Sequence, residues 1–379
     1  MTDFDQVISR QGTGSVKWDG ARERFGGEVL PLWVADMDFA IAPSILNALH
    51  QRLEHPIFGY PHREEAFGQA ARRWWQHRYQ WSVAQESLLP VSGVVPALFA
   101  SVRAFTAPGD GVLVMPPIYP PFLDAVKQNQ RRLELVPLRA DAGGHYQMDW
   151  DALEPALARS RLLLLCSPHN PVGRVWTADE LRRLSALCQD AGVPMISDEI
   201  HADLSFQPHT PLAQIAPEAI VLSSAGKAFN IAGLGGGIAV CADPNSRALL
   251  RAELERSQCH HLNEMGLIAA ITVWESGAAW LDALRPYLQE NLAFLQSTLA
   301  QRLPELGYRP PDFGYLAWLD VRSYGDDPDI ASALLGAGLG LNLGPSFGPG
   351  GSGHLRMNVA APRVTVAEGV ERLCRALGG

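Results

Sequence analysis

The chain has no Cys-x-x-Cys pair; its five cysteines, Cys166, Cys188, Cys241, Cys259 and Cys374, are odd in number and scattered. That excludes a disulfide framework and fits reduced core residues in a reducing compartment. No zinc-site spacing is present, since Cys259-His260-His261 has no second ligand pair and adjacent side chains on a helix diverge. No metal is expected. No apolar run approaches membrane-spanning length, and the start Met1-Thr-Asp-Phe-Asp-Gln6 lacks the basic and apolar regions of a leader. The expectation is a cytoplasmic protein without a membrane partner. Basic runs interleaved with aromatics are also missing, and a net charge of −9 argues against nucleic acid. Gly348-Pro-Gly-Gly-Ser-Gly353 satisfies Gly-x-Gly-x-x-Gly, but strand-like His354 to Val359 follows it where a dinucleotide fingerprint needs a helix.

What remains is an ordinary globular composition, 379 residues with 47% hydrophobic and 19% charged, long enough for two domains and a large core. The apolar run Ala219 to Leu222 reads as a buried strand that breaks at Ser223-Ser224, reaches Lys227 and is followed by the glycine cluster 233–237. A lysine delivered at a strand end, in a cationic or poorly solvated pocket, loses its proton near neutral pH and can form a Schiff base. Upstream, Arg161 to Asn170 and Val193 to Glu199 are strand patterns flanking a helix that Thr177-Ala-Asp-Glu180 opens as a capping box and Gly192 closes. Parallel strands joined by crossovers place their carboxyl ends on one rim, where open α/β sheets bind ligands. Asn170, Asp198 and Lys227 are therefore expected to converge.

An amide, a carboxylate and a lysine converging in a crevice are what pyridoxal 5'-phosphate requires: the lysine holds its aldehyde, the carboxylate keeps its ring nitrogen protonated, and the amide donates to its O3′. A second anchor lies where strand-like Leu88 to Gly93 meets a helix over Val94 to Phe105. The unpaired Val94 and Val95 amides at that terminus suit an anion, with Ser224 and Ser223 supplying hydroxyls.

Three motifs then carry a resemblance: Ser-Pro-His-Asn-Pro-Val-Gly (167–173), Ser-Asp-Glu-Ile-His-Ala-Asp (197–203) and Lys-Ala-Phe-Asn-Ile-Ala-Gly-Leu (227–234) resemble the aspartate-aminotransferase superfamily of fold type I. More narrowly, Leu32-Trp-Val-Ala-Asp-Met-Asp-Phe39 and Phe58-Gly-Tyr-Pro-His62 resemble its cystathionine β-lyase and cysteine-S-conjugate β-lyase branch. The resemblance runs over nearly the whole chain. It implies a homodimer in which Tyr60 reaches the cofactor phosphate of the neighbouring site. It also implies that Tyr119 stacks on the cofactor ring, Arg356 grips the substrate carboxylate, and the segment with Trp33, Ala35 and Asp36 borders the substrate. Three departures from the aminotransferase pattern stand out. Asp203 lies near an expected tyrosine, with His201 close by; Gly226 precedes the lysine where serine is common; Gly235 replaces a phosphate-binding arginine.

The expected fold is α/β: an arm over 1–45, an aminotransferase-like large domain with a mostly parallel central sheet over 46–280, and a smaller α+β C-terminal domain over 281–379. Residues 244–300 are expected to be one long helical region packed over the sheet. The expected activity is C-S β-lysis of L-cystathionine or a related cysteine-S-conjugate, giving a thiol, pyruvate and ammonia. Lys227, Asp198 and Tyr119 are placed in the catalytic centre. The nearest alternative is an aminotransferase on the same fold; a further rival is a cofactor-binding regulator without activity.

Overall fold

The computed structural model describes residues 2–378. Seven strands form the large sheet: β1 (Leu88–Val91), β2 (Gly111–Val114), β3 (Arg132–Leu135), β4 (Leu162–Cys166), β5 (Met195–Asp198), β6 (Ile220–Ser223) and β7 (Gly237–Val240). Their order is β1-β7-β6-β5-β4-β2-β3, and only β7 runs against its neighbours. The central strands are largely apolar, with polar residues only at their carboxyl ends, because both faces are covered. Along β4 the side chains alternate: Leu162 and Leu164 enter a core shared with the helices Val94–Phe105 and Pro120–Gln128, while Leu163 and Leu165 enter the larger core on the opposite face. All four leucines are fully buried, each contributing roughly 1.5–3 kcal/mol by transfer from water.

Local signals fix the connections that carry site residues. Thr177 caps the helix Ala178–Ala191 as a capping box with Glu180, and Gly192 ends it in the left-handed region at φ 64°. Both carboxylate oxygens of Glu180 also accept from Nη2 of the buried Arg174, at 2.6 and 2.8 Å, so the helix start and the loop after β4 are tied together. Gly173 in that loop has φ +76°, and a Cβ there would lie 2.5 Å from Pro311.

The long helical region expected over 244–300 consists of three helices, Pro244–Arg256, Glu264–Ser276 and Ala278–Arg302. The interruption at 257–263 overturns the helical placement of Cys259-His260-His261; the two imidazole rings lie 3.7 Å apart rather than diverging. Asn263 accounts for the break, since its side chain accepts from the Gly266 amide at 2.8 Å and starts a new helix. Among the described residues no cluster of three metal-ligating side chains occurs.

A second, antiparallel sheet holds β8 (Gly307–Tyr308), β9 (Leu316–Asp320), β10 (Asn342–Leu343) and β11 (His354–Asn358), ordered β8-β9-β11-β10. The boundary expected at 280/281 falls in the first turn of the helix Ala278–Arg302. The N-terminal arm joins the C-terminal part directly: Leu30–Pro31 pairs in parallel with Leu339–Gly340. From there the arm crosses to the rim of the large sheet.

Candidate active site

The carboxyl ends of β4, β5 and β6 lie side by side, and Asn170, Asp198 and Lys227 leave them toward the same crevice. Cys166 is in register with Asp198, and Asp198 with Leu222. The arm and β11 close the opposite side. Arg356 of β11 donates to Asn170 Oδ1 and to the Trp33 carbonyl, each at 3.1 Å, and Asn342 accepts from its Nη2 at 3.2 Å. Lys227 Nζ donates to the Ala35 carbonyl at 2.7 Å, and the Tyr315 hydroxyl donates to the same oxygen at 3.1 Å.

The charges here are buried without counter-charges. Arg356 is 3% exposed, its Nε has no partner, and no carboxylate of the described residues lies within 4.0 Å of it. Asp198 is 5% exposed and, among the described residues, accepts only from the Ile200 amide at 3.1 Å, with no cation in salt-bridge range. A lone buried charge costs several kcal/mol of desolvation, so the protein alone does not balance this site. Burial pushes the Asp198 carboxyl up to about 7, with Glu199 adding to the rise and Lys227 opposing it. Burial first, then Arg356, lowers the Lys227 amine to about 8. Burial lowers Arg356 to about 10, which leaves it charged at neutral pH.

Tyr119 begins the helix Pro120–Gln128 and is tied to the rim by its amide, which donates to the Asn170 carbonyl at 3.1 Å. Burial raises its hydroxyl pKa; Arg356 opposes the rise and Asp198 adds to it, which sets the ring near both charges. The amides of Val94 and Val95 open the helix Val94–Phe105, and Gly93 before them offers no side-chain cap. Just before them, the Ser92 carbonyl accepts from the Gly236 amide at 3.0 Å. Gly235 and Gly236 there have φ of +70° and +93°, a backbone that glycine adopts without strain.

Several expected residues stand elsewhere or are already engaged. Ser223 is corrected: by strand alternation it faces away from Asp198, into a small void with Tyr79, Glu199 and Asp203. The Ser224 hydroxyl donates to the Gly236 carbonyl at 2.6 Å and accepts from the Gly226 amide, so it braces the turn. Asp36 is held in a bidentate pair by Arg10 at 2.8 and 2.9 Å. The Trp33 indole donates to the Lys17 carbonyl at 3.1 Å, leaving its own carbonyl for Arg356. Tyr60 is 104% exposed, with exposed Ile57 and Phe58 beside it, and touches nothing of this chain's own crevice.

Asp203 also lies away from the crevice, accepting from Trp74 Nε1 at 2.9 Å and the Tyr79 hydroxyl at 2.5 Å. His201 is the nearer group: it is buried, its Nδ1 has no partner, and its pKa falls to about 3 through burial and the cations Lys227 and Arg356. Tyr315, Asn342, Asn230 and Asn358 are site residues that sequence reasoning does not reach. Their partners are mostly backbone atoms remote in sequence, for which no motif signal exists.

The donor set fits a small molecule with an anionic tail and a basic ring nitrogen. The first-turn amides of the helix Val94–Phe105 suit the tail, and the unbalanced Asp198 suits a protonated nitrogen. The orphan Nδ1 of His201 and the amide of Asn170 await a ring oxygen. A second anion, such as an amino-acid carboxylate, would balance Arg356.

Comparison with known proteins agrees in extent. The chain is 39% identical over 385 residues to cystathionine beta-lyase PatB of Bacillus subtilis, covering 99% of each chain. Its fold superimposes on cystalysin of Treponema denticola, a structure containing a pyridoxal 5'-phosphate cofactor, with TM-score 0.96 and 32% identity over 100% of this chain and 99% of that one. A PLP-bound C-S lyase of Staphylococcus hominis matches with TM-score 0.92 and 30% identity, over 100% and 98% of the two chains. Residues 28–377 match the family described as Aminotransferase class I and II, and the chain belongs to that family.

Proposed function

We propose that the protein is a pyridoxal 5'-phosphate-dependent C-S β-lyase that cleaves L-cystathionine or a related cysteine-S-conjugate to a thiol, pyruvate and ammonia. The observation that carries this reading is the pair of buried, unbalanced charges, Asp198 and Arg356, on either side of a lysine with a lowered pKa. Lys227, Asp198, Asn170 and Tyr119 would hold the cofactor, with the Val94 and Val95 amides on its phosphate. When bound, the cofactor supplies an aldehyde carbon for the substrate nitrogen and an electron-poor ring that draws electrons from Cα.

Arg356 binds the substrate carboxylate with its planar fork, and this fixes Cα near Lys227. Asp198, as the carboxylate, keeps a proton on the ring nitrogen by charge pairing. The Lys227 amine, free to act as a base, would take the proton from Cα. With that electron pair available, the Cβ–S bond breaks and the thiolate departs with a proton. The three-carbon enamine left behind adds one water and yields pyruvate and ammonia. Tyr119 would hold the cofactor ring by stacking on it.

The exposed Tyr60 and Phe58 support a homodimer in which Tyr60 completes the neighbouring site. Five cysteines free of disulfides suit a cytoplasmic setting. The test is pyruvate release from cystathionine by the cofactor-loaded protein with no keto acid present. Stoichiometric thiol and pyruvate are expected. Amino-group transfer that requires a keto acid, with no thiol released, would replace this reading with the aminotransferase alternative.

A further inference from the structure

The arm segment 34–39 lies across Lys227, and its fixation comes from two asparagines. Asn230, three residues past Lys227, accepts from the Met37 amide at 2.9 Å and donates to the carbonyls of Met37 and Phe39, each at 3.0 Å. Asn358, two residues past Arg356, donates to the carbonyls of Val34 and Asp36, each at 2.6 Å, while its oxygen accepts from the Ala360 amide at 2.7 Å. Both amide groups spend their two donor hydrogens on the arm. With Val34 and Asp36 turned to Asn358, the Ala35 carbonyl between them is turned the other way, onto Lys227 Nζ and the Tyr315 hydroxyl.

That carbonyl is the one hydrogen-bond acceptor of the amine among the described residues, and no carboxylate lies within 4.0 Å of it. We propose that Asn230 and Asn358 are positioning residues that fix the Ala35 carbonyl as the resting place of the Lys227 amine whenever that amine is not joined to the cofactor. The proposal rests on the assignment of Lys227 as the cofactor lysine. A carbonyl held in place stabilises the ammonium form and returns the amine to one location after each displacement. The other charged groups facing the amine are Arg356, which lowers its pKa, and Asp36 and Asp198, which raise it.

The chain suits a direct test, because its lysines are only Lys17, Lys127 and Lys227. Lys17 is fully buried against Asp38, and Lys127 is exposed and serves as an internal reference. Asn230→Ala and Asn358→Ala are compared with wild type by amine labelling against pH on the cofactor-free full chain, read by mass spectrometry. The Lys227 midpoint is expected to fall by about one unit in either variant, from the lost hydrogen bond to a charged group, with Lys127 unmoved. Hydrogen exchange at the Met37 amide is expected to rise at least about tenfold in Asn230→Ala. In the holoenzyme kcat should fall about tenfold while KM for substrate stays within about twofold, because Arg356 is untouched. Should Asn358→Ala fail to fold, Asn230→Ala alone carries the same titration. A folded variant with a mobile Met37 amide and an unmoved Lys227 midpoint overturns the proposal, as does a Met37 amide that stays protected. Absence of thioether cleavage in wild type would overturn the proposed reaction and leave this titration intact.

Discussion

Two faces of the same sheet end treat buried charge in opposite ways. On the far face, Glu199 accepts from Ser197, His209 and the Leu212 amide at 2.9, 3.0 and 2.9 Å, and Asp203 accepts from Trp74 and Tyr79. On the crevice face, Asp198, immediately before Glu199, has one amide, and Arg356 has no carboxylate. Both faces exclude water, so the difference does not come from burial. The far face is charge chemistry completed by the protein; the crevice face is charge chemistry left for a ligand. Substitutions should therefore separate cleanly into those that cost stability and those that cost turnover.

The largest effect is expected for Lys227→Ala, which should lower pyruvate release by at least about 10³-fold through loss of the base and remove the absorbance of covalently attached cofactor. Arg356→Met should lower kcat/KM by roughly 2–5 kcal/mol in transition-state terms, since a buried charge pair with substrate is lost, while raising the melting temperature of the cofactor-free protein. A fall in that temperature would break the contrast between the faces.

Asp198→Asn sharpens the comparison through pH. The folded pKa of Asp198, about 7, lies above the ordinary aspartate value, so between those values the folded cofactor-free state binds more protons than the unfolded one. Stability from this group is then present at low pH and is lost as pH rises through about 7. The neutral amide of the Asp198→Asn variant should stabilise the cofactor-free protein by roughly 1–4 kcal/mol at pH 8 and by little at pH 4, measured by denaturant titration at both pH values, with activity reduced. Asp203→Asn should do the reverse, costing about 1–3 kcal/mol of stability by leaving partners unmatched and leaving KM nearly unchanged. The smallest effect is expected for Tyr60→Phe, a loss of about 0.5–1.5 kcal/mol in cofactor affinity, read from cofactor dissociation.

Features written in contiguous residues were legible in the sequence. The strand ending at Cys166, the Thr177 capping box and the helix Val94–Phe105 each announce themselves within a few positions. The convergence of Asn170, Asp198 and Lys227 followed from the parallel strand order alone. Ser223 was misplaced although the signal was available, since alternation along β6 puts it on the face opposite Leu222. The Cys259-His260-His261 segment was misread as helical because the Asn263 cap that starts the next helix went unrecognised. Asn230, Asn358 and Tyr315 could not be found this way, because each acts on arm carbonyls roughly 190 to 320 positions away, and long-range pairing of this kind leaves no periodicity.

The single reversed strand, β7, has a consequence for ligand length. It separates β6, which delivers Lys227, from β1, which leads into the turn before Val94, and two strand spacings amount to about 9–10 Å. A molecule gripped at one end by the amine and at the other by the helix amides has to bridge that gap. The sheet thus acts as a gauge that rejects tethers too short or too long before any side chain judges their chemistry.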